Sequence, residues 1–399
     1  MATDFFRIIQ KQAYCKRRPV GIHPTSELDM KTHKMPYLSC VVVMFSMLVA
    51  NKALSAEEIL GDYPLCEASA ALLLPCPDKK DGECLLVGDN EEGRELFLFT
   101  IQGDKLSPNA NPTIDLNLKD KQKISDIEAL AAVSANEILA FASHSRKASC
   151  KLDEERHKFG KINLVKHETG IVDTLKSKPI TCQHLFIQPV SDASILAVCK
   201  AIDDAETKAA AIESDLQADK IKKKEAKNLC NTVNAFNAEG AVALKTDKGS
   251  EVWIGLRAPL LAVHPVQSEK KNLAILLHLK DTSAYTFDRV AFVDLEGRGI
   301  RDLSVDGDFI WIIAGPAEDI NKDTHTDNES TTFQLRRMAK SALQQSKVID
   351  AELIHKDLPD SSEGLAVSGK TAYIVIDRDK GDDDKKCKDP ARYKVLSLP

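Results

Sequence analysis

One short unit recurs along this chain and limits what the chain can fold into more than any other feature. Each copy opens on a polar signal with an acidic residue and runs into an apolar strand. It then turns and enters a second apolar strand that ends near Gly, Arg or Pro. The fullest copy occupies 236–260, with Glu239 at its start and Gly255, Arg257 and Pro259 at its end. Further copies occupy 125–146, 299–316 and 362–378, where the acidic residue is Glu128, Asp302 or Glu363. Short apolar runs bounded by turn residues read as strands. Several short strands per unit, with a motif repeated at the unit starts, are the signature of a β-propeller. A β-sandwich would account for the strands but not for the repeated start.

Taken in order, the apolar runs predict all-β blades of three or four strands. The first unit holds strands at 70–74, 85–88 and 95–101, followed by a polar loop to Ile124. The second holds 127–133, 137–142 and 160–166, and a hairpin of 185–188 with 195–200 reads as a further unit that lacks the acidic motif. Strands resume at 238–244, 251–256, 273–279 and 289–294, then at 302–305, 309–314 and 332–338, and finally at 364–367, 372–376 and 393–398. Five units are clear and the one near 180–200 makes a sixth, so the expectation is five to six blades, with six favoured. Residues 201–229 differ in kind. They contain neither Gly nor Pro, and Ile202, Ala205, Ala209, Ile212 and Leu216 recur at helical spacing. A helical insertion packing that stripe on the strands is expected there, with the Lys220–Lys227 face in solvent.

The chain begins with a basic leader. Residues 1–56 hold eight Lys/Arg against three Asp/Glu, which leaves 46 basic and 57 acidic residues in 57–399. The uncharged run 37–50, preceded by Lys31 and Lys34 and ended by small residues up to Ala56, is the three-part pattern of a secretory signal peptide. The n-region is long, and Met30 or Met35 would be a more natural start. Residues 57–399 are therefore expected to be a secreted or periplasmic propeller domain, monomeric and free of the membrane after cleavage. Its acidic balance excludes the electrostatic footprint of a nucleic-acid binder. Eight cysteines remain beyond Ala56, an even number in an oxidising compartment. Cys76 with Cys84 and Cys182 with Cys199 each flank a turn as hairpin partners would. Cys150 and Cys230 bracket the helical stretch, and Cys66 and Cys387 lie near the two ends.

Inner strands of a propeller line its axis, so Glu128, Glu239, Asp302 and Glu363 are expected to converge. Converging carboxylates repel unless compensated. A hard cation such as Ca²⁺ would hold them as oxygen ligands, or the arginines near the motif copies, Arg146, Arg257, Arg301 and Arg378, would neutralise them. One reading is a polar axial pocket for a small polar ligand or cation. The other is that each acidic residue caps its own blade through backbone N–H groups and a neighbouring Arg. His144, beside Arg146, joins the candidate set as the one histidine in a motif position, but no nucleophile accompanies it. The Gly-x-Ser-x-Gly, P-loop and His-Glu-x-x-His motifs are all missing.

At these residues the chain resembles an uncharacterised bacterial family of exported, propeller-like proteins that carry a domain of unknown function. The family pattern is Asn-Ile-Glu-Gly-Leu, Gly-x-Arg-x-Pro and Gly-Ile-Arg-Asp-Leu with Ala-Gly-Pro, preceded by Asp-x-Glu and Ser-His-Ser-Arg. It is matched here by 237–241, 255–259, 299–303 with 314–316, 126–128 and 143–146. Ala238 and Ala241 replace larger apolar residues of the pattern. The resemblance covers roughly 85–395 and implies a fold and a polar constellation, with no assigned activity. More distantly, the chain is similar to phytase-like and esterase-like propellers, whose channel carboxylates bind calcium. Three expectations follow: a propeller binding a small polar ligand or cation at its axis, a calcium-dependent hydrolase of phosphoesters or esters, or a protein-interaction scaffold built on the helical insertion.

Overall fold

Five sheets, antiparallel except for one short parallel pair at Val293–Asp294 with Ile349–Asp350, share one plan. A small-residue strand lies innermost, a strand buried on both faces lies beside it, and more polar strands lie outside. The computed structural model describes residues 57–399 except 61–64, 66, 78–81, 119–121, 167, 175–179, 248, 319–331 and 379–389. The leader and signal peptide expected over 1–56 lie outside the described residues.

The inner strands are Ala68–Pro75, Ile127–Ser134, Asn237–Thr246, Gly299–Asp306 and Ser362–Ser368. Small residues are frequent in their first halves, as in Ala68-Ser69-Ala70-Ala71 and Ala238-Glu239-Gly240-Ala241, where strands crowd around one axis. Each touches the next in a closed ring, the last returning to the first. The second strands, such as Phe309–Gly315 and Thr371–Ile376, are near-continuous apolar runs. They carry no inside–outside alternation because a neighbouring blade covers each face. Adjacent blades meet closely where glycine replaces a side chain. A Cβ on Gly255 would lie 2.6 Å from Cγ2 of Ile300, in the next blade. The ring closes through Glu58–Ile59, which pairs with the C-terminal strand Arg392–Ser397.

The protein is thus an all-β propeller of five blades, and the favoured count of six is corrected. The segment near 180–200 is helical: α1 is Cys182–Leu185 and α2 is Ala193–Gln217, followed by α3 at Lys223–Cys230. The short apolar run 195–199 fits a buried strand or a helix equally by periodicity. Asp192 decides it, because its carboxylate accepts the N–H groups of Ser194 and Ile195 as a helix N-cap. Of the expected stripe, Ile202, Ala205 and Ala209 are buried, joined by Val198 and Cys199. Val198, Cys199 and Ile202 share one hydrophobic cluster with Phe141, Phe159, Ile254 and Phe287, so the insertion is part of the core of the second and third blades.

The outer strand Lys105–Asp115 stands where a polar loop was expected, and the outer strands Glu168–Asp173 and Glu352–Leu358 fall where no strand was expected. Such edge strands carry polar residues and pair on one side only, which erases the apolar pattern. Three disulfides are formed, Cys76–Cys84, Cys150–Cys230 and Cys182–Cys199. The last joins α1 to α2 and does not span a hairpin. The expected Cys66–Cys387 pair lies outside the described residues. Among the described residues no helix is long and apolar enough to cross a membrane.

Candidate functional site

Within its first three residues, every inner strand slips register against its neighbour and leaves one residue unpaired. Ala68 faces Asp89 and Ala70 faces Gly88, which skips Ser69. Glu128 is skipped between Ile127 and Ala129, and Glu239 between Ala238 and Gly240. Arg301 is skipped between Ile300 and Asp302, and Glu363 between Ser362 and Gly364. A β-bulge re-aims the side chain of its extra residue. Five equivalent bulges thus place Ser69, Glu128, Glu239, Arg301 and Glu363 in one ring at one end of the axis. Two blades enter the bulge alike. Asp126 and Ser361 have φ of 64° and 60°, and their carbonyls accept the N–H groups of Ser143 and Asp377 at 2.9 and 3.0 Å.

The ring explains how like charges share this place. Arg301, on the fourth blade, pairs with the acidic residue on either side of it. Its Nε lies 3.0 Å from Oε2 of Glu239, and its Nη2 bonds Oε1 of Glu363. The contact to Glu239 is a charge contact without hydrogen-bond alignment. Glu239 also receives Nη1 of Arg257 at 3.1 Å and the amide of Asn237 at 2.8 Å. Burial raises the Glu239 carboxyl, while Arg301 and Arg257 oppose the rise.

Glu128 sits on the second blade, out of sequence with this pairing. It is 5% exposed, and its Oε2 has no hydrogen-bond partner. Burial, followed by the charges of Glu239, Asp126 and Glu363, lifts its carboxyl well above the usual range, and Arg301 opposes this only in part. Asp126 beside it is held by Arg156 at 3.1 Å and by the hydroxyls of Ser143 and Ser145. Its carboxyl is also raised, chiefly by burial.

A cleft of about 290 Å³ opens over Glu128 and Glu239. Asn90, Asp126, Asn237 and Arg257 line it, and the end of the helical insertion walls it through Cys230 and Asn234. Arg257 donates from Nε to the carbonyl of Pro316 at 3.2 Å. Arg146 also lines the cleft, but its guanidinium is committed to α2. It lies 2.8 Å from Glu206 and 2.9 Å from Glu213, and it donates to the carbonyl of Cys150.

Several expected site residues lie elsewhere. Asp302 is not the fourth member of the ring, because the bulge falls one residue earlier. Its carboxylate instead accepts the backbone N–H groups of Leu303 at 2.7 Å, Leu365 at 2.6 Å and Ala71 at 3.4 Å. It thereby ties three blades together, and burial raises its carboxyl well above the usual range. His144 is packed behind the site. Its ring stacks on Tyr285 at 4.4 Å, and its Nδ1 lies 2.8 Å from the carbonyl of Ala142. Burial, helped by His157, pushes its pKa down to about 3. Arg378 turns to Glu57 beside the closing strand. The shared calcium cage expected of Glu128, Glu239, Asp302 and Glu363 is not formed. Among the described residues no three His, Cys, Asp or Glu groups are placed to hold one metal ion. Guanidinium and backbone N–H groups do the compensating. Sequence reasoning missed Ser69 and Arg156. The opening Ala68-Ser69-Ala70 matches the small–polar–small starts Ala238-Glu239-Gly240 and Ser362-Glu363-Gly364 and was a usable signal.

A family model described as "Protein of unknown function (DUF3616)" matches residues 83–390. No curated protein matches the chain. Solved structures similar to it include a GH43 β-1,3-galactosidase, BT3683, at 8% identity and TM-score 0.39, covering 86% of this chain and 94% of that one. A GH43 β-xylosidase/α-arabinofuranosidase from a compost microbial metagenome is similar at 9% identity and TM-score 0.36, covering 87% and 94%. A DUF4221 member from Bacteroides vulgatus is similar at 8% identity and TM-score 0.35, covering 86% and 98%. Likeness at this level bears on no residue of the site.

Proposed function

The chain belongs to the DUF3616 family of unknown function, and on that footing we propose that it is an exported propeller binding a small polar ligand in the cleft over its bulge ring. One observation carries the reading. Glu128, Asn90 and Asn237 line the same cleft, and a buried side-chain oxygen of each, Oε2 in Glu128, accepts no hydrogen bond from the protein. A buried acceptor left without a donor costs about 1–3 kcal/mol, so three around one cleft favour a bound molecule that supplies the donors. Arg257 and Arg156 hold the neighbouring carboxylates and fix the floor of the site. The three disulfides support an oxidising compartment, consistent with export.

A thermal-shift screen of polyols, sugars, amines, amino acids and carboxylates on the full chain tests this, with hits repeated on Ala317→Trp, which fills the cleft from a loop that lines it. A compound that binds the native chain and is lost in Ala317→Trp supports the proposal. Hits indifferent to Ala317→Trp, or no hit at millimolar concentration, overturn it.

A further inference from the structure

We infer that the group recognised in this cleft is a small organic cation, an ammonium that donates to Glu128, Asn90 and Asn237. The inference rests on the cleft being a binding site and adds the chemistry of its ligand. The charges around the ring do not balance. Four carboxylates, Asp126, Glu128, Glu239 and Glu363, face three guanidiniums, Arg156, Arg257 and Arg301. Asp126 is taken by Arg156, Glu239 by Arg257 and Arg301, and Glu363 by Arg301. The nearby cations Arg146 and Lys147 are held by Glu206, Glu213 and Asp153. Glu128 is the carboxylate left over.

Among the cleft-lining residues, the buried side-chain atoms without a hydrogen bond all accept: Oε2 of Glu128, the side-chain oxygens of Asn90 and Asn237, and Oε2 of Glu239, which alone has a cation facing it, Nε of Arg301 at 3.0 Å. An ammonium carries three donors and no acceptor. A neutral polyol brings acceptors with its donors and leaves the extra negative charge where it is. A calcium ion needs six to eight oxygens at roughly 2.3–2.6 Å, and no set of three acidic or imidazole groups is placed for one among the described residues. The raised carboxyl of Glu128 agrees, since Glu239, Asp126 and Glu363 face it with Arg301 alone opposing. The cleft, at about 290 Å³, is at the small end of ligand pockets and suits a molecule of few heavy atoms.

The test is calorimetric titration of the full chain with methylammonium, ethanolammonium and putrescine as chloride salts, with ethylene glycol as a neutral isostere and with calcium chloride. At least one ammonium is expected to bind, with ethylene glycol at least tenfold weaker. Glu128→Gln should weaken the ammonium at least tenfold while its circular dichroism stays native, and Glu128→Asp should keep part of the affinity. The inference is overturned if no ammonium binds, if ethylene glycol or calcium binds as well as the amines, or if Glu128→Gln binds unchanged. A neutral or anionic compound that binds natively and is lost in Ala317→Trp would sink the cationic ligand and leave the binding cleft standing. If no compound depends on the cleft, both readings fall.

Discussion

Nε of Arg301 lies 3.0 Å from Oε2 of Glu239, an ion pair that crosses from the inner strand of the fourth blade to that of the third. Arg301 is 6% exposed and also bonds Glu363 of the fifth blade. One guanidinium therefore tethers three neighbouring strands at the axis.

Replacing Arg301 by Met should be severe. It leaves Glu363 without its cation and Glu239 with Arg257 alone, and breaking a buried pair from one side costs about 3–5 kcal/mol. A large drop in melting temperature is expected. Adding Glu239→Gln and Glu363→Gln should recover part of the loss, because the uncompensated charges go with them. A melting point within a degree of native for Arg301→Met alone would contradict this account of the ring.

Glu128→Gln should stabilise the chain at neutral pH. The carboxyl is raised above its ordinary 4.5, so the native state binds more protons than the unfolded chain. Its contribution is whole below about 4.5 and declines as pH rises through the raised native value. Gln mimics the protonated form and does not titrate. Denaturant unfolding should show the variant and the native chain equal near pH 4 and the variant ahead at pH 7–8.

His144 predicts the opposite slope. Its pKa falls from 6.5 to about 3 on folding, chiefly by burial. Its contribution to stability is present above 6.5 and lost as pH falls toward 3. With about 1.4 kcal/mol per unit, the loss across that window is roughly 4–5 kcal/mol. His144→Phe, which can keep the stack on Tyr285, should flatten the acid limb of the stability profile. An acid limb unchanged in that variant would remove His144 as its source.

Removing the Cys150–Cys230 bridge should affect both stability and the cleft. It closes a separation of 80 residues, for which the chain-entropy estimate is about 4–5 kcal/mol. Cys230 also lines the cleft. The double Ala variant should melt lower and bind any cleft ligand more weakly, whereas removing Cys76–Cys84 should lower the melting point without touching binding.

Much of this was legible in the chain itself. The repeated acidic starts, the apolar runs and the helical stretch follow from local spacing, and local spacing is what periodicity records. The partners in Cys76–Cys84, Cys150–Cys230 and Cys182–Cys199 were also legible, although the last joins two helices where a hairpin was expected. The run 195–199 was not decidable that way, because five apolar residues suit either element until Asp192 caps the helix. Nor was the exchange of Asp302 for Arg301. Both stand in the same motif, and only the register slip against the second strand selects which one the bulge presents. The tertiary structure alone decided that Glu128 is the carboxylate without a partner. Arg301 reaches the blades beside its own, and Glu128 is one blade too far. Which charges meet depends on adjacency around a closed ring of five, and adjacency between distant parts of a chain is set by packing.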